Sequence, residues 1–285
     1  MPAVLLATCA DIPDGDEDAG VITAALADHG VSARWVVWSD PAVDWSAGLV
    51  VIRSTWDYTS DHAAYLDWIG RVPRLANGAE VVRWNTDKVY LRDLAEAGVP
   101  VVPTQVVVPG QALLAPEREF VVKPTVGAGS RGVGRFTPER ADAAALHLAE
   151  LHALGRTALV QPYLDAVDTL GETALLYFDG AFSHAIRKGP MLAAATAHAV
   201  DGRALYIEEN ITPRDPQPDE LAVGEQALRA VRDRFGADQL YTRVDLLHGP
   251  DGPVVVELEL VEPSLFLQHG RGAVDAFAAA VAARA

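Results

Sequence analysis

The sequence is poor in cysteine, in basic residues and in long apolar runs, and each shortage excludes a class of protein. Cys9 is the only cysteine among 285 residues, so no internal disulfide can form, which fits a reducing compartment. The chain carries 23 Lys and Arg against 39 Asp and Glu, and this net charge of −16 argues against a nucleic-acid partner. No run approaches the roughly 18 apolar residues of a membrane helix. We therefore expect a cytoplasmic protein without a membrane partner that acts on a small molecule.

The first third of the chain alternates between strand and helix patterns. Short apolar runs predict buried parallel strands at 3–8, 35–38, 49–52 and 80–84. Acidic first turns and glycine stops predict helices at 16–30 and 61–69. This order predicts a parallel α/β domain over residues 1–84.

After residue 84 the pattern becomes α+β, which we assign to a second domain over residues 85–285. Strands are predicted at 105–108, 120–123, 158–162, 173–178, 181–187, 239–247 and 253–260. Helices are predicted at 85–97, 138–154, 219–235 and 271–284. The segment 201–218 has no clear assignment.

The segment VVVELELVEP carries acidic residues at alternate positions. Glu257 and Glu259 therefore project from one face of a predicted strand. The turn HGPDGP pairs this strand with YTRVDLL and places Asp245 opposite them. Three carboxylates on one face repel each other unless a cation lies among them, and Mg²⁺ prefers oxygen ligands. The alternative is a solvated sheet face.

The segment FVVKPTVGAGSRGVGRF delivers Lys123 from an apolar strand to a glycine-rich loop. Glycines let backbone N–H groups approach phosphate oxygens, and the lysine supplies positive charge. The loop is neither a Walker A loop nor a Rossmann fingerprint. A hairpin without a ligand would have a similar composition.

Two weaker patterns accompany the loop. Lys88, in WNTDK, lies in the first turn of a predicted helix, where an anion nearby would offset the unfavourable helix dipole, although surface lysines are common. The strand 158–162 breaks at Gln161-Pro162-Tyr163, where exposed backbone can pair with a purine edge. An ordinary strand end is the alternative.

These four segments, in this order, resemble the ATP-grasp superfamily, and D-alanine–D-alanine ligases and prokaryotic glutathione synthetases show similar spacing. The resemblance runs from about residue 85 to the C-terminus, and residues 1–84 look like the preATP-grasp domain. It implies an ATP-grasp fold of two α+β subdomains with a mobile lid at about 102–162.

The resemblance also implies roles for individual residues. The residues that would bind ATP are Lys88, Lys123, Gly127, Gly129, Ser130, Gly132, Gln161, Tyr163, Leu164 and Glu172, with Asp168 as a substitute for Glu172 at the ribose. Those that would hold one or two Mg²⁺, or Mn²⁺, are Asp245, Glu257 and Glu259. The catalytic cations would be Arg243, Lys123 and Arg187. The family usually has asparagine where this chain has Glu259.

A narrower resemblance links VIRSTWDY, FSHAIRK and ELELVEPSLFL to the ATP-grasp cyclo-ligases of cycloserine pathways and their uncharacterised relatives. Arg53 and Ser54 follow a buried strand, and ligands bind at that end of open parallel sheets. The substrate-binding residues would be Arg53, Ser54, Lys188, Glu262 and Ser264. Trp56 and Tyr58 fit equally a role as caps of the domain interface.

The implied reaction activates a small amino-acid-like carboxylate as an acyl phosphate, which an amine then attacks. Ring closure within one molecule, as from O-ureido-serine to cycloserine, and intermolecular amino-acid or peptide ligation both fit. A phosphotransferase and a binding module without catalysis are further alternatives. The oligomeric state is left open, with a homodimer as one option. Cys9 and the histidines are interpreted as structural. Asp11 is kept as a further candidate residue near the same site.

Overall fold

Short apolar strands form the first sheet of the computed structural model, which describes residues 3–129, 131–190 and 210–285. The strands are β1 (Ala3–Thr8), β2 (Ser32–Val37) and β3 (Leu49–Ser54), all parallel and in the order β2-β1-β3. Nearly every residue of β1 and β3 is buried, as expected of central parallel strands covered on both faces. The helices of this part are α1 (Ala19–Asp28), α2 (His62–Arg71) and α3 (Ala79–Asn85).

The strand predicted at 80–84 is wrong, because α3 occupies these residues. Val81 and Val82 are buried while Glu80 and Arg83 lie outside, and one helical turn produces this pattern as readily as a strand does. The next helix, α4 (Tyr90–Glu96), starts later than predicted. Lys88 therefore lies in the connection before α4 and not in a first helical turn.

The second sheet is antiparallel and carries the glycine-rich loop. Its strands are β4 (Gln105–Val107), β5 (Phe120–Pro124), β6 (Gly134–Phe136) and β7 (Ala158–Pro162), in the order β4-β7-β5-β6. Helix α5 (Ala141–Ala153) packs on it through Leu148 and Leu151, which join the core around Phe120. The loop between β5 and β6 is therefore held at both ends by paired strands.

The third sheet carries the acidic hairpin. Its strands are β8 (Glu172–Phe178), β9 (Ala181–Lys188), β10 (Ile211–Pro213), β11 (Tyr241–Gly249) and β12 (Gly252–Glu259), in the order β10-β9-β8-β11-β12. All four pairings in this sheet are antiparallel. The remaining helices are α6 (Val167–Leu170), α7 (Pro218–Phe235) and α8 (Ala273–Ala282).

Local signals set the ends of α7, the longest described helix. It begins with Pro218 after a capping box between Gln217 and Glu220, and it ends at Gly236 with a φ of 78°. Helix α8 packs against α1 and so returns the chain to the first sheet. Among the described helices, none is both long and apolar enough to cross a membrane. Residues 201–209 of the unassigned segment lie outside the described part.

Candidate active site

A cavity opens where the second and third sheets meet the connection that follows β3. The predicted site residues that line it are Lys88, Lys123, Gly127, Gly129, Gln161, Tyr163, Leu164, Glu172, Lys188, Arg243, Glu257, Glu259, Glu262 and Ser264. They come from strands of two sheets and the loops between them. The structure thus brings together most of the residues that the resemblance singled out.

The acidic hairpin forms one wall of this cavity. In its register Asp245 lies opposite Glu257, and Arg243 lies opposite Glu259. One carboxylate oxygen from each of Asp245, Glu257 and Glu259 lies within 4.8 Å of the other two. Ligands on opposite sides of Mg²⁺ are about 4 Å apart, since each Mg–O distance is about 2.1 Å. The donor set and its spacing therefore fit a magnesium ion.

Two cations neutralise the deepest of these carboxylates. Arg243 donates from Nε to Asp245 Oδ1 at 2.9 Å and from Nη2 to Asp245 Oδ2 at 2.9 Å. Its Nη2 also donates to Glu259, and its Nη1 reaches the Ser264 carbonyl at 3.2 Å. Lys188 Nζ donates to Asp245 at 2.7 Å and to Glu172 at 2.5 Å. Arg243 and Lys188 are thus fixed by their bonds to the same carboxylate, that of Asp245.

The three carboxylates differ in how readily they ionise. Burial opposes the charge of Asp245, yet Arg243 and Lys188 hold its pKa at about 2. Burial also opposes the charge of Glu257, but Lys88 and Lys123 lower its pKa. Burial raises the pKa of Glu259 to about 8; Arg243 opposes this rise, and Glu257 and Asp245 add to it. We call the three carboxylates of Asp245, Glu257 and Glu259 the metal wall. Among them, the negative charge of Glu259 is the costliest to form.

Lys88 and Lys123 flank Glu257 from the side of the glycine-rich loop. Lys88 Nζ lies 3.0 Å from Glu257 Oε1 and donates to the Gly127 carbonyl at 2.6 Å. Although burial opposes its charge, Glu257 keeps the pKa of Lys88 above its ordinary value. Burial and the Lys88 charge lower the pKa of Lys123. Two lysines beside one carboxylate are suited to polyphosphate oxygens.

A cluster around Tyr163 forms the opposite end of the cavity. The Arg135 guanidinium stacks 3.4 Å above the Tyr163 ring and pairs with Glu119 at 2.8 Å. The Tyr163 hydroxyl donates to Asp168 at 2.6 Å. Gln161, at the end of β7, donates to the Thr104 hydroxyl at 2.8 Å. These contacts hold a flat, half-apolar wall that suits a heteroaromatic ring.

Comparison with known proteins assigns this geometry to a family. A family model for the N-terminal domain of D-cycloserine synthetase DcsG matches residues 4–77. The cycloserine biosynthesis protein DcsG of Streptomyces lavendulae is 42% identical to the chain over 289 residues, which span 94% of each protein. The chain belongs to the DcsG family of ATP-grasp ligases.

Solved structures agree with this assignment. The crystal structure of D-cycloserine synthetase DcsG matches with a TM-score of 0.89, at 39% identity and over 99% of each chain. A RimK-domain ATP-grasp protein from Sphaerobacter thermophilus matches with a TM-score of 0.66 at 20% identity, over 98% of each chain, which shows the fold alone. The α/β ATP-grasp fold is confirmed, and this DcsG-family chain is an ATP-dependent ligase that forms a C–N bond.

Five of the described residues predicted for the site do not line the cavity of this DcsG-family ligase: Arg53, Ser54, Gly132, Arg187 and Asp245. Arg53 and Ser54 are fully buried because β3 continues through both of them. Arg53 donates to the Pro263 carbonyl at 3.1 Å and pairs with Asp16 at 3.2 Å. Trp56 and Tyr58, further along the connection, line the cavity instead.

Strand alternation explains why Arg187 lies outside the cavity lining. Lys188 faces the cavity, so its neighbour on β9 faces the other way. Arg187 Nε accordingly donates to the Leu170 carbonyl at 2.6 Å, and Nη2 donates to that of Thr169 at 3.2 Å. Asp245, Gly132 and Asp168 also lie outside the cavity lining, although Asp245 contacts it through Arg243 and Lys188. Ser130 lies outside the described residues.

Side chains that the sequence did not single out support the metal wall. β12 lies at the edge of its sheet, yet its outer backbone groups have partners. Asn85 Nδ2 donates to the Leu258 carbonyl at 2.8 Å, and Asn85 Oδ1 accepts from the Leu260 N–H at 2.7 Å. The Tyr90 hydroxyl accepts from the Leu258 N–H at 2.9 Å. These two side chains take the place of a sixth strand beside Glu257 and Glu259.

The connection after β3 also contacts the glycine-rich loop. Arg131 Nη2 donates to the Trp56 carbonyl at 3.1 Å and to the Thr59 hydroxyl at 2.9 Å. Arg131 lines the cavity together with Trp56. The loop that would cover ATP is therefore tied to the N-terminal part of the ligase. Only the unusual cluster of polar and aromatic residues in RSTWDY pointed to this contact.

Proposed function

We propose that this ligase activates a small amino-acid-like carboxylate and closes a ring within the same molecule, as in the formation of cycloserine. A carboxylate oxygen attacks the γ-phosphorus of ATP, the bond from that phosphorus to the bridging oxygen breaks, and ADP leaves. A nitrogen of the same molecule attacks the acyl carbon, the bond from that carbon to phosphate breaks, and the nitrogen loses a proton. The relative named D-cycloserine synthetase supports this choice of reaction.

The observation that carries the proposal is the cluster of Arg243, Lys188 and three carboxylates, in which Arg243, Lys188 and Asp245 are buried. We assign Asp245, Glu257 and Glu259 to hold one or two Mg²⁺ ions, which would neutralise phosphate charge when bound. Arg243 is assigned to steady the transferred phosphoryl group, because its guanidinium is already aimed by Asp245 and the Ser264 carbonyl. Preorganised charge of this kind needs no rearrangement at the moment of transfer.

The rest of the cavity supports an ATP site. Lys88 and Lys123 are assigned to the phosphates, and Gln161, Tyr163 and Leu164 are assigned to the adenine. Glu172 is assigned to the ribose, where its bond to Lys188 fixes the carboxylate. We propose domains at 1–84 and 85–285, with residues 102–162 as a lid.

Lid closure serves a chemical purpose in this scheme. An acyl phosphate is hydrolysed by water, so the site must stay dry until the nitrogen attacks. The glycine-rich loop lies on the lid and its Arg131 reaches the Trp56 carbonyl across the cavity mouth. Lys188, Glu262 and Ser264 line the cavity beyond Arg243 and are assigned to the substrate.

Substitution of Glu257 by Gln tests the site. We expect Mg²⁺-dependent ADP release to fall at least about 100-fold, because one metal ligand loses its charge and both lysines lose their anchor. Glu150→Gln, at a glutamate whose side chain is 69% exposed on α5, is the matched control and should keep full turnover. Unchanged turnover in Glu257→Gln would contradict the metal assignment.

The choice of reaction is tested with substrates. ADP release is measured with single amino-acid-like carboxylates, including O-ureido-serine, and then with pairs of these compounds. Ring closure predicts release with one compound and a cyclic product by mass spectrometry. ADP release that requires a second amine would instead show intermolecular ligation, and a stable phosphorylated product would show a phosphotransferase.

A further inference from the structure

Glu262 stands apart from the other acidic side chains of the cavity. Among the described residues, four glutamates line it: Glu172, Glu257, Glu259 and Glu262. Glu172 pairs with Lys188, Glu257 pairs with Lys88, and Glu259 pairs with Arg243. Glu262 forms no ion pair with any described residue. A carboxylate in this position leaves a negative charge facing the cavity.

The surroundings of Glu262 make that charge costly in the absence of a cation. Burial raises its pKa to about 7, and the attraction of Lys88 only partly offsets this. Tyr58, which is 3% exposed, lines the cavity together with Glu262, and its side chain helps to lower the pKa of that carboxyl. A cation that enters the cavity would therefore gain a partner that is already partly desolvated.

The backbone at Glu262 is fixed on both sides. Trp56 Nε1 donates to the Glu262 carbonyl at 3.1 Å. Arg53 Nη1 donates to the next carbonyl, that of Pro263, and Arg53 is held in turn by Asp16. Arg53, which was predicted as a direct substrate contact, and Trp56 thus hold the segment that carries Glu262. This rigidity is what a selective binding site requires.

Glu262 also lies close to the reaction centre along the chain. It follows Glu259 by three residues, and the Ser264 carbonyl two residues later accepts from Arg243. A substrate whose carboxylate meets the transferred phosphoryl group beside Arg243 has its α-substituent only a few ångströms away. A cation on that substituent is within the span of one small molecule.

We propose that Glu262, which lines the cavity together with Tyr58, binds the ammonium group of the substrate and restricts this ligase to carboxylates that carry a primary ammonium. The inference rests on the proposed function for the place of the carboxylate. The ammonium is a recognition element here, and the nitrogen that closes the ring is a different one. Simple carboxylic acids would leave the Glu262 charge unpaired, so the site discriminates against them.

Binding and turnover are measured separately to test this proposal. Small α-amino acids, with O-ureido-serine among them, are titrated calorimetrically into the enzyme with Mg²⁺ and ADP, each beside the compound that lacks the amino group. We expect the wild-type enzyme to bind at least one ammonium compound 10-fold or more tightly than its deamino counterpart. In Glu262→Gln this preference should fall to about 3-fold or less, with unchanged affinity for Mg²⁺-ADP. Glu150→Gln is the control for the substitution.

Tyr58→Phe separates positioning from folding. The Tyr58→Phe variant should prefer the ammonium compound over its deamino counterpart less strongly than the wild type does, because its KM for the ammonium compound rises. Its kcat and its KM for ATP should stay near their wild-type values. No preference for any ammonium compound in the wild type, or an equal preference in Glu262→Gln, overturns the inference. A preference without ADP release from any compound would overturn the proposed function and leave the ammonium site standing.

Discussion

Substitution of Asn85 by Ala should destabilise the protein through the backbone of β12 and not through the core. The Asn85 side chain is 7% exposed and bonds the Leu258 carbonyl at 2.8 Å and the Leu260 N–H at 2.7 Å. The Leu258 carbonyl lies on the outer edge of β12, where no further described strand pairs, and the Leu260 N–H follows directly after β12. Alanine would leave one acceptor and one donor buried without partners.

The size of the effect follows from these two groups. An unsatisfied buried backbone group costs about 1–3 kcal/mol, so the two together cost about 2–6 kcal/mol. The backbone at Leu258 also relaxes between Glu257 and Glu259, which moves two carboxylates of the metal wall. The stabilisation by Mg²⁺-ADP, which grows with the logarithm of ligand concentration over Kd, should therefore shrink as well.

Urea unfolding followed by tryptophan fluorescence measures the first effect, and the same experiment with Mg²⁺-ADP measures the second. Asn210→Ala, at an exposed asparagine, is the matched control and should change the free energy of unfolding by less than about 0.5 kcal/mol. A loss below about 1 kcal/mol in Asn85→Ala, with full stabilisation by Mg²⁺-ADP, would refute the idea that this side chain replaces a strand.

Two further predictions concern the lid and the ammonium site. Arg131→Met removes the bonds to the Trp56 carbonyl and the Thr59 hydroxyl, so water should enter and more ADP should form per ligated product. A coupled assay measures ADP and mass spectrometry measures the product. An unchanged ratio of ADP to product would contradict the role of this contact. Glu262 has a pKa of about 7 in the folded protein against an ordinary value of 4.5, so its contribution to stability is present at low pH and is lost as pH rises through 7. Glu262→Gln should therefore raise the free energy of unfolding at pH 8.5 by at most about 3 kcal/mol without changing it at pH 4.5, and parallel Tm curves for the two proteins would contradict this.

The features that the sequence predicted correctly depend on short-range patterns. Alternation alone places Glu257 and Glu259 on one face, and the hairpin turn between β11 and β12 brings Asp245 to the same wall. The glycine-rich loop begins directly after Lys123, so its position on the second sheet follows from β5. Such features need no knowledge of distant contacts.

The errors share a different cause. The apolar run at 80–84 is too short for its periodicity to separate a strand from a helical turn. Arg53 was expected at a ligand because strand ends bind ligands, but β3 runs two residues further than its apolar run and buries the side chain. Arg187 and Lys188 are neighbours on β9, so their side chains point to opposite faces of the sheet. Only the register of the strand decides which of them faces the cavity.

Contacts between distant segments lie beyond any local pattern. Glu262 meets Tyr58 and Trp56 more than 200 residues away along the chain, and only the packing of the connection after β3 against the end of the metal wall brings them together. The support of β12 by Asn85 and Tyr90 is of the same kind. An asparagine in a helix or loop is usually a surface residue, so nothing local marks one that serves as a strand partner.

The replacement of the usual asparagine by Glu259 has a consequence for Arg243. Asparagine would offer a neutral oxygen, whereas Glu259 adds a charge that pairs with the Arg243 guanidinium. Arg243 is thus held by carboxylates on two neighbouring strands, at Asp245 on β11 and at Glu259 on β12. A divalent ion that took a Glu259 oxygen would compete with Arg243 for it, while Asp245 and the Ser264 carbonyl would keep the guanidinium aimed. The extra carboxylate would therefore link metal binding to the ion pair of Arg243, which a neutral asparagine would not do.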